Sequence, residues 1–328
     1  MRPRINVATA LNSHYMRYTY VMLTSLFVNQ TEADVHVYLL HSDLSDKEQE
    51  CLQSLALSYG NTIHYLPISR ESFPAALPTT QKWTLEAYYR LLILDILPEE
   101  IDRLLYLDVD MIINKPILDL YQTDFEDAYF CVCRDMGGSI PFKDIRNEIF
   151  KEQIDAGFTY FNSGLMLWNI AALRGKYSFK DYIELAQKLE YKMLAPDQDL
   201  LNYMHWNKVK LVDEYQYDLF SRKAYYSGFR YNQVKEETTI IHYAGAKPWE
   251  GQDIHYDIEK LWWDYARQTP FYIELMEEFL NGCLTDPYVF NGMRALAEDK
   301  QTLAAALQKS TTLCNQLLQM LEKHPKNG

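Results

Sequence analysis

The first 68 residues alternate between short apolar runs and longer amphipathic segments. Short apolar runs are typical of buried strands, whereas apolar residues that recur every three or four positions predict helices. The predicted strands are residues 5–10, 35–40 and 62–68, and the predicted helices between them are residues 18–30 and 45–60. Strands that alternate with helices of this length favour parallel βαβ units, and therefore an α/β fold with helices on both faces of a sheet.

The second of these helices has recognisable signals at both ends. Ser45 and Glu48 have the S-x-x-E spacing of a capping box, in which each residue bonds the backbone N–H of the other. Gly60 follows the last apolar position and suits the left-handed turn that commonly ends a helix. The sequence therefore predicts both boundaries of this helix from local chemistry.

Two carboxylates stand at the end of an apolar run in the stretch "LLYLDVDMII", residues 104–113. Leu104 to Leu107 predict a strand buried on both faces, so Asp108 and Asp110 fall at its carboxyl end, where open α/β sheets place their ligand crevice. Two carboxylates at such close range repel each other unless a cation lies near them, and oxygen ligands of this kind select Mg²⁺ or Mn²⁺. The alternative is a pair of solvated strand-end aspartates that cap a helix.

Arg90 interrupts an otherwise apolar segment, "TLEAYYRLLILDIL", which predicts a helix over residues 84–97. A buried arginine needs an anionic partner, because its charge is too costly to leave unpaired away from water. We expect either a structural pair with an internal Asp or Glu, or a bound phosphate or sugar.

Several other predicted strands and helices carry polar side chains at their ends. Each of these residues alone has an ordinary structural explanation, such as a helix cap or a solvated charge, but together they are typical of one ligand crevice. They are Asp135 in "VCRDM", Asn162, Ser163 and Gly164 just before the predicted strand of "YFNSGLMLWN", Asp197, Gln198 and Asp199 in "APDQDLLNYM", and His242, Gly245 and Lys247 in "TTIIHYAGAKPW".

Composition and charge limit the classes of function. The chain has 328 residues, of which 48% are hydrophobic and 23% are charged, so it can bury a full core. Its net charge of −13 argues against a nucleic-acid partner, because binding to a phosphate backbone depends on clustered Lys and Arg. A single nucleotide is still compatible with this charge.

Cysteine usage and hydropathy indicate the compartment. The five cysteines include no C-x-x-C pair and no zinc-type Cys/His cluster, which favours a reducing environment. The apolar stretch near the N-terminus is too short for a signal peptide, and no window approaches the roughly 20 apolar residues of a membrane span. We predict a cytoplasmic protein, with peripheral attachment to the inner face of the membrane as an open alternative.

Six motifs give the chain a resemblance to a known family. In order, they are "VATALNSHYMRYTYVMLTSL", "AYYRLLI", "RLLYLDVDMII", "YFNSGLMLWN", "PDQDLLN" and "HYAGAKPW". The chain resembles the retaining glycosyltransferases of family 8, which include bacterial galactosyl- and glucosyltransferases and the glycogenins. The resemblance implies the GT-A fold, a Rossmann-like mixed sheet flanked by helices, and transfer of galactose or glucose from a UDP-sugar to a glycan or glycoprotein, with Mn²⁺ or Mg²⁺ as cofactor.

The resemblance also implies roles for individual residues. Asp108, Asp110 and His242 would bind the metal. The nucleotide diphosphate would contact Ala10, Leu11, Asn12, Tyr15, Arg90, Asp108, Val109, Asp110, Gly245 and Lys247. The sugar pocket and catalytic groups would be Arg90, Asp135, Asn162, Asp197 and Gln198.

The chain departs from the family in the N-terminal loop and leaves two mechanistic routes open. Many relatives carry an acidic pair where this chain has Asn12 and Ser13, so the base contact is the weakest of the implied assignments. Retention requires either that the acceptor attack from the leaving-group side or that a transient nucleophile form. Gln198 is the residue to consider for the second route, but an amide oxygen is a poor nucleophile, and we favour same-side attack.

Two other classes of function compete with the transferase. A phosphohydrolase of the haloacid dehalogenase type also uses two aspartates after an apolar strand, although its motif normally lies near the start of the domain. A nucleotide-sugar-binding module without turnover would explain the change at Asn12.

The remainder of the chain has a different character. From "RALAEDKQTL" onward it is rich in helix formers, with Leu303, Leu307, Cys314, Leu317 and Leu321 on one stripe. We therefore predict a catalytic domain over residues 1–250 and a C-terminal helical region over residues 251–328. The stripe favours a helix that packs on its own domain over a coiled coil, because Lys300 and Ser310 interrupt it, and self-association through the C-terminal helices is the alternative.

Overall fold

The computed structural model describes residues 2–79, 84–137, 148–251, 255–285 and 298–315. Ten strands lie in these ranges: β1 Arg4–Leu11, β2 Asp34–His41, β3 Thr62–Pro67, β4 Arg103–Leu107, β5 Met111–Ile113, β6 Phe130–Arg134, β7 Phe161–Asn169, β8 Val209–Leu211, β9 Leu219–Phe220 and β10 Ile240–His242.

The same ranges contain the α-helices and four short 3₁₀ helices. The α-helices are α1 Met16–Asn29, α2 Asp46–Ser58, α3 Ile93–Ile96, α4 Leu118–Tyr121, α5 Lys151–Asp155, α6 Ile170–Leu173, α7 Phe179–Lys188, α8 Pro196–His205, α9 Glu214–Tyr217, α10 Ser221–Tyr226, α11 Tyr231–Glu237, α12 Lys260–Ala266, α13 Tyr272–Thr285 and α14 over residues 298–315. The 3₁₀ helices are Ser13–Tyr15, Arg70–Ser72, Leu85–Leu92 and Asp257–Glu259.

A mixed sheet of seven strands in the order β3-β2-β1-β4-β7-β6-β8 forms the centre of the fold. Strands β3, β2, β1 and β4 are parallel, whereas β7 runs antiparallel to both of its neighbours. The predicted α/β class with a mixed sheet flanked by helices is confirmed. A second sheet, β5-β10-β9, was not predicted, because it joins three strands of two or three residues each from distant parts of the chain.

The core lies on both faces of the seven-stranded sheet. Leu105 and Leu107 of β4 belong to one apolar cluster, which includes residues of α1 and α2, and Leu104 and Tyr106 belong to another. Successive side chains of a strand point to opposite faces, so a run of apolar residues is buried on both sides. This confirms that β4 is a fully buried strand.

Local signals predicted the early helices well and one later helix less well. The capping box of Ser45 and Glu48 is present, and Gly60 has a φ of +73°. The segment 84–97 is instead a 3₁₀ helix, Leu85–Leu92, followed by one turn of α-helix. Within it, Arg90 Nε donates to the Ala87 carbonyl at 3.1 Å, a side-chain contact that the apolar pattern does not report.

The chain divides into two compact units, residues 1–248 with 255–272 and residues 249–254 with 273–328. The first contains both sheets. In the second, every described residue of α14 is exposed, including Leu303 and Leu307 at 71% and 70%. Leu317 and Leu321 of the predicted stripe lie outside the described residues. Within the described ranges, no helix combines the length and the apolarity needed to cross a membrane.

We predict that His205 makes the fold sensitive to acid. It is fully buried at the end of α8, its Nε2 lies 3.0 Å from the Tyr182 hydroxyl, and burial lowers its pKa from 6.5 to about 3. Below pH 6.5 the unfolded chain therefore binds a proton that the folded chain does not, and stability falls by up to about 1.4 kcal/mol per pH unit down to the folded pKa.

Urea unfolding midpoints between pH 4.5 and 7.5 measure this effect. The His205→Gln variant should lose less stability on acidification than the wild type, and His14→Gln, at an exposed position, should behave as the wild type. Equal acid slopes in the wild type and His205→Gln would contradict the assignment.

Candidate active site

Strand direction brings several of the predicted residues to one edge of the large sheet. The carboxyl end of β4 lies beside the beginning of β7, with Leu107 opposite Leu165, and the end of β6 lies beside the same strand, with Arg134 opposite Phe161. Asp108 and Asp135, which follow β4 and β6, therefore meet the polar residues at the start of β7. The polar cluster of Asn162, Ser163 and Gly164 lies within β7, and not before it as we predicted.

The second sheet brings His242 to this edge. Strand β10 pairs antiparallel with β5, with His242 opposite Met111, and the Tyr243 N–H donates to the Asp110 carbonyl at 2.9 Å. One ligand atom from each of Asp108, Asp110 and His242 lies within 4.8 Å of the others. The three residues that the family resemblance names as metal ligands are thus neighbours in space.

Gly164 leaves the room that the side chains of Asp108 and His242 occupy. Its carbonyl accepts a 2.8 Å hydrogen bond from the Asp108 N–H. An added Cβ at Gly164 would lie 2.6 Å from His242 Cε1 and 2.8 Å from Asp108 Oδ2, which is closer than real Cβ atoms come. Two carboxylates and one imidazole are a suitable donor set for Mn²⁺ or Mg²⁺. The residues therefore fit a divalent cation.

Positive side chains surround Asp110. Lys247 Nζ makes an ion pair with Asp110 Oδ2, and His242 Nε2 lies 3.3 Å from Asp110 Oδ1. Burial by itself would raise the pKa of Asp110, but Lys247 and His242 lower it well below its usual range. Burial opposes charge on His242 as well, yet Asp110 and Asp218 raise the pKa of its imidazole to about 10. Asp110 is therefore ionised at neutral pH, as a metal ligand must be.

Arg90 links Asp108 to the helix α8. Its guanidinium lies 2.8 Å from Asp108 Oδ1 and 3.1 Å from Asp197 Oδ2, and it is 4.3 Å from the Tyr106 ring centre. A third bond goes to the Ser163 carbonyl. Burial disfavours its charge, but Asp108 and Asp197 outweigh that cost and raise the pKa of Arg90. The expectation of an anionic partner is confirmed with protein carboxylates, and contact with a donor phosphate or sugar stays a prediction.

Gln198 connects the remaining predicted pocket residues. Its Oε1 accepts from Asn162 Nδ2 at 3.1 Å and from the Ser163 N–H at 2.9 Å, while its Nε2 donates to Asp135 Oδ2 at 3.0 Å. This network fixes which end of the amide faces Asp135. Asp199, the next residue of α8, accepts hydrogen bonds from the N–H groups of residues 194 and 195. It therefore caps the helix, which is the ordinary structural role considered for it in the sequence analysis.

The predicted nucleotide loop follows β1. Ala10 and Leu11 end the strand, and Tyr15 ends the 3₁₀ turn Ser13–Tyr15. Asn12 Oδ1 is buried and has no hydrogen-bond partner in the part of the chain that the structure describes.

Other residues complete or adjoin this nucleotide region. Val109 lies half-buried between the two aspartates, and Gly245 has a φ of +94° in the turn that leads to Lys247. Asp43, which the sequence did not single out, accepts from the Ser13 N–H at 2.8 Å and so places a carboxylate beside the loop that lacks the acidic pair.

Asp218 is the other residue that the sequence analysis missed. It is fully buried, and its Oδ1 lies 2.8 Å from His242 Nδ1. The sequence feature that could have identified Asp218 is its position directly before the apolar strand β9. An acidic side chain that is buried there needs a hydrogen-bonding or positively charged partner.

The fold and this cluster agree with the glycosyltransferase class that the sequence motifs indicate. The sequence model of Glycosyl transferase family 8 matches residues 6–253. The chain therefore belongs to this family. Membership confirms the suspected resemblance and sets aside the phosphohydrolase alternative.

Individual relatives agree with this classification. A lipopolysaccharide 1,2-glucosyltransferase of Escherichia coli is 28% identical over 262 residues, which are 76% of this chain and 74% of that protein. A lipopolysaccharide 1,3-galactosyltransferase of Salmonella typhimurium is 27% identical over 75% of this chain and 73% of that protein. The crystal structure of the galactosyltransferase LgtC with donor and acceptor sugar analogues has a similar fold, with a TM-score of 0.67, 20% identity, and coverage of 81% of this chain and 96% of that chain.

We expect Gly164→Ala to weaken metal binding by at least about tenfold, because the new methyl group has to displace Asp108 or His242. Isothermal titration with Mn²⁺ and thermal unfolding measure affinity and stability separately. Gly60→Ala is the control: it introduces backbone strain at a φ of +73° in open space, so it should lower stability without changing Mn²⁺ affinity. Wild-type affinity in Gly164→Ala would show that the cluster is not a metal site.

Proposed function

We propose that this protein is a retaining hexosyltransferase that moves galactose or glucose from a UDP-sugar to a glycan acceptor, with Mn²⁺ as its cofactor. The observation that carries the proposal is the Asp108, Asp110 and His242 cluster at the sheet edge, with Gly164 beneath it. Family membership supports a glycosyl transfer, and the chemistry of the donor set supports Mn²⁺ or Mg²⁺.

The surroundings of the cluster support a nucleoside diphosphate as the leaving group. A divalent cation bound there would act as a Lewis acid toward the diphosphate. Lys247 places a fixed positive charge next to Asp110, and the open turn at Gly245 leaves its backbone accessible to phosphate oxygens. The buried Asn12 Oδ1 is an acceptor suited to the N3–H of uracil or to a ribose hydroxyl.

The identity of the hexose rests on the relatives. Of the two lipopolysaccharide enzymes described above, one is named a glucosyltransferase and the other a galactosyltransferase, so both sugars are candidates here. Arg90, Asp197, Asn162, Gln198 and Asp135 form one network that is joined through Ser163, and we assign the donor sugar to it. A panel of UDP-sugars decides between them, because donor hydrolysis needs no acceptor.

Same-side attack is the mechanism that this network supports. The Gln198 amide oxygen already accepts hydrogen bonds from Asn162 and Ser163, so its lone pairs are engaged. Asp197 Oδ2 is 3.1 Å from Arg90 Nε and 3.0 Å from Ser163 Oγ, and an ion-paired carboxylate is a weak nucleophile. The acceptor hydroxyl would attack from the side of the leaving group, and a diphosphate oxygen would take its proton.

The named relatives and the cysteines bear on the acceptor and on the compartment. The named relatives favour a cell-surface glycan of the lipopolysaccharide type over a glycoprotein. All five cysteines are free thiols, which supports the cytoplasmic side of the membrane, where the reducing environment keeps thiols unpaired. Self-association through α14 is an additional proposal that sedimentation velocity tests directly.

We expect slow release of UDP from UDP-galactose or UDP-glucose in the presence of Mn²⁺, and a loss of about 100-fold or more in Asp110→Asn, which removes a charged ligand. Coupled detection of UDP measures both rates. Asp127→Asn changes an aspartate with a side chain 90% exposed and should keep the wild-type rate. Binding of UDP-sugar without any release would favour the non-catalytic module, and full activity in Asp110→Asn would refute the metal assignment.

No covalent sugar should accumulate on Gln198 or Asp197. Intact-mass spectrometry of protein that is quenched during turnover should show only the unmodified chain, for the wild type and for a Gln198→Glu variant that offers a carboxylate at the same place. A glycosylated peptide that contains residue 197 or 198 in the wild type would establish the two-step route instead.

A further inference from the structure

We propose that Asp218 is a positioning residue, which orients the imidazole of His242 so that its Nε2 is available to the metal. This inference rests on the metal-dependent transferase proposed above. Asp218 Oδ1 lies 2.8 Å from His242 Nδ1, and the opposite ring nitrogen, Nε2, faces Asp110 Oδ1 at 3.3 Å. A carboxylate only accepts hydrogen bonds, so it keeps a proton on Nδ1, and Nε2 is the ring nitrogen that gives up its proton when a cation binds.

The local fold keeps this contact rigid. Asp218 lies at the end of α9, where its N–H donates to the Glu214 carbonyl at 3.2 Å, and directly before β9. Strand β9 pairs parallel with β10, with Phe220 opposite His242. The Phe220 ring stands edge-on to the imidazole, 5.1 Å between centres. The ring is therefore held by the carboxylate, by an aromatic neighbour and by its own strand.

Stability does not explain why an acid stands at position 218. The side chain is fully buried, and its second oxygen, Oδ2, has no hydrogen-bond partner among the described residues. A buried carboxylate with an unsatisfied oxygen is costly, and an asparagine could make the same single bond at lower cost. The carboxylate adds a negative charge, and unlike an amide it cannot turn a donor group toward the imidazole. Both properties make the imidazole a better metal ligand.

The Asp218→Asn variant separates this role from a structural one. The amide keeps the shape of the side chain, but it lacks the charge and can turn its NH₂ toward Nδ1, which would put the ring proton on Nε2. We expect Mn²⁺ affinity, measured by electron paramagnetic resonance of free Mn²⁺, to fall 10- to 100-fold. The melting temperature should stay equal or rise, and the Mn²⁺ concentration for half-maximal UDP release should increase far more than kcat at saturating Mn²⁺ decreases.

Glu259 offers a matched control elsewhere in the same unit. It is also buried, its Oε2 bonds His255 Nδ1 at 2.6 Å, and its Oε1 has no hydrogen-bond partner within the described ranges. Glu259→Gln therefore makes the same chemical change in a histidine and carboxylate pair that is not part of the Asp108, Asp110 and His242 cluster. We expect it to leave Mn²⁺ affinity at the wild-type value.

The outcomes distinguish this inference from the proposed function. Wild-type protein that binds no Mn²⁺ would overturn both. Wild-type protein that binds Mn²⁺, together with an Asp218→Asn variant that melts earlier yet binds Mn²⁺ equally well, would overturn only the positioning role. If the variant does not fold, ¹⁵N NMR of the histidine rings in the wild type with Mg²⁺ decides the question: His242 should carry its proton on Nδ1, and a proton on Nε2 would refute the inference.

Discussion

The repulsion between the carboxylates of Asp108 and Asp110 is the constraint around which this candidate active site is arranged. Both follow a strand buried on two faces, where water cannot fully screen their charge. Positive side chains contact both aspartates: Arg90 pairs with Asp108, and Lys247 and His242 pair with Asp110. Asp110 thus stays ionised, and each of the two aspartates has its own positive partner. A divalent cation that binds His242 would take the place of the proton on its Nε2.

The same positive groups connect the candidate metal site to the predicted sugar pocket. Arg90 contacts both Asp108 and Asp197, so one guanidinium joins the cluster to α8. Beside Asp197, Gln198 is bonded in turn to Asn162 and Asp135. Networks in which every buried polar group has a partner are rigid, and a rigid pocket can hold a donor sugar in one orientation.

The reversed direction of β7 is what makes this geometry attainable. Because β7 is antiparallel to β4 and β6, its beginning lies at the same edge as their ends. Asn162, Ser163 and Gly164 therefore enter the site from within a strand, with backbone groups already fixed by sheet pairing. The absence of a side chain on Gly164 then lets Asp108 and His242 approach over it.

The sequence by itself determined most strands of the large sheet, the caps of α2, the α/β class and most of the residues at the candidate site. These features depend on periodicity and on contacts within a few positions, which a single sequence displays. It also named Asp108, Asp110 and His242 through a family resemblance, but not their separation. Only the tertiary structure decided that β10 pairs with β5, that Arg90 is satisfied by Asp108 and Asp197, and that Asp218 lies behind His242. The partners in those pairings are far apart in the chain, from 18 positions for Arg90 and Asp108 to 131 positions for Met111 and His242. Strand pairing and burial select among many chemically equivalent partners, so no local pattern records the choice.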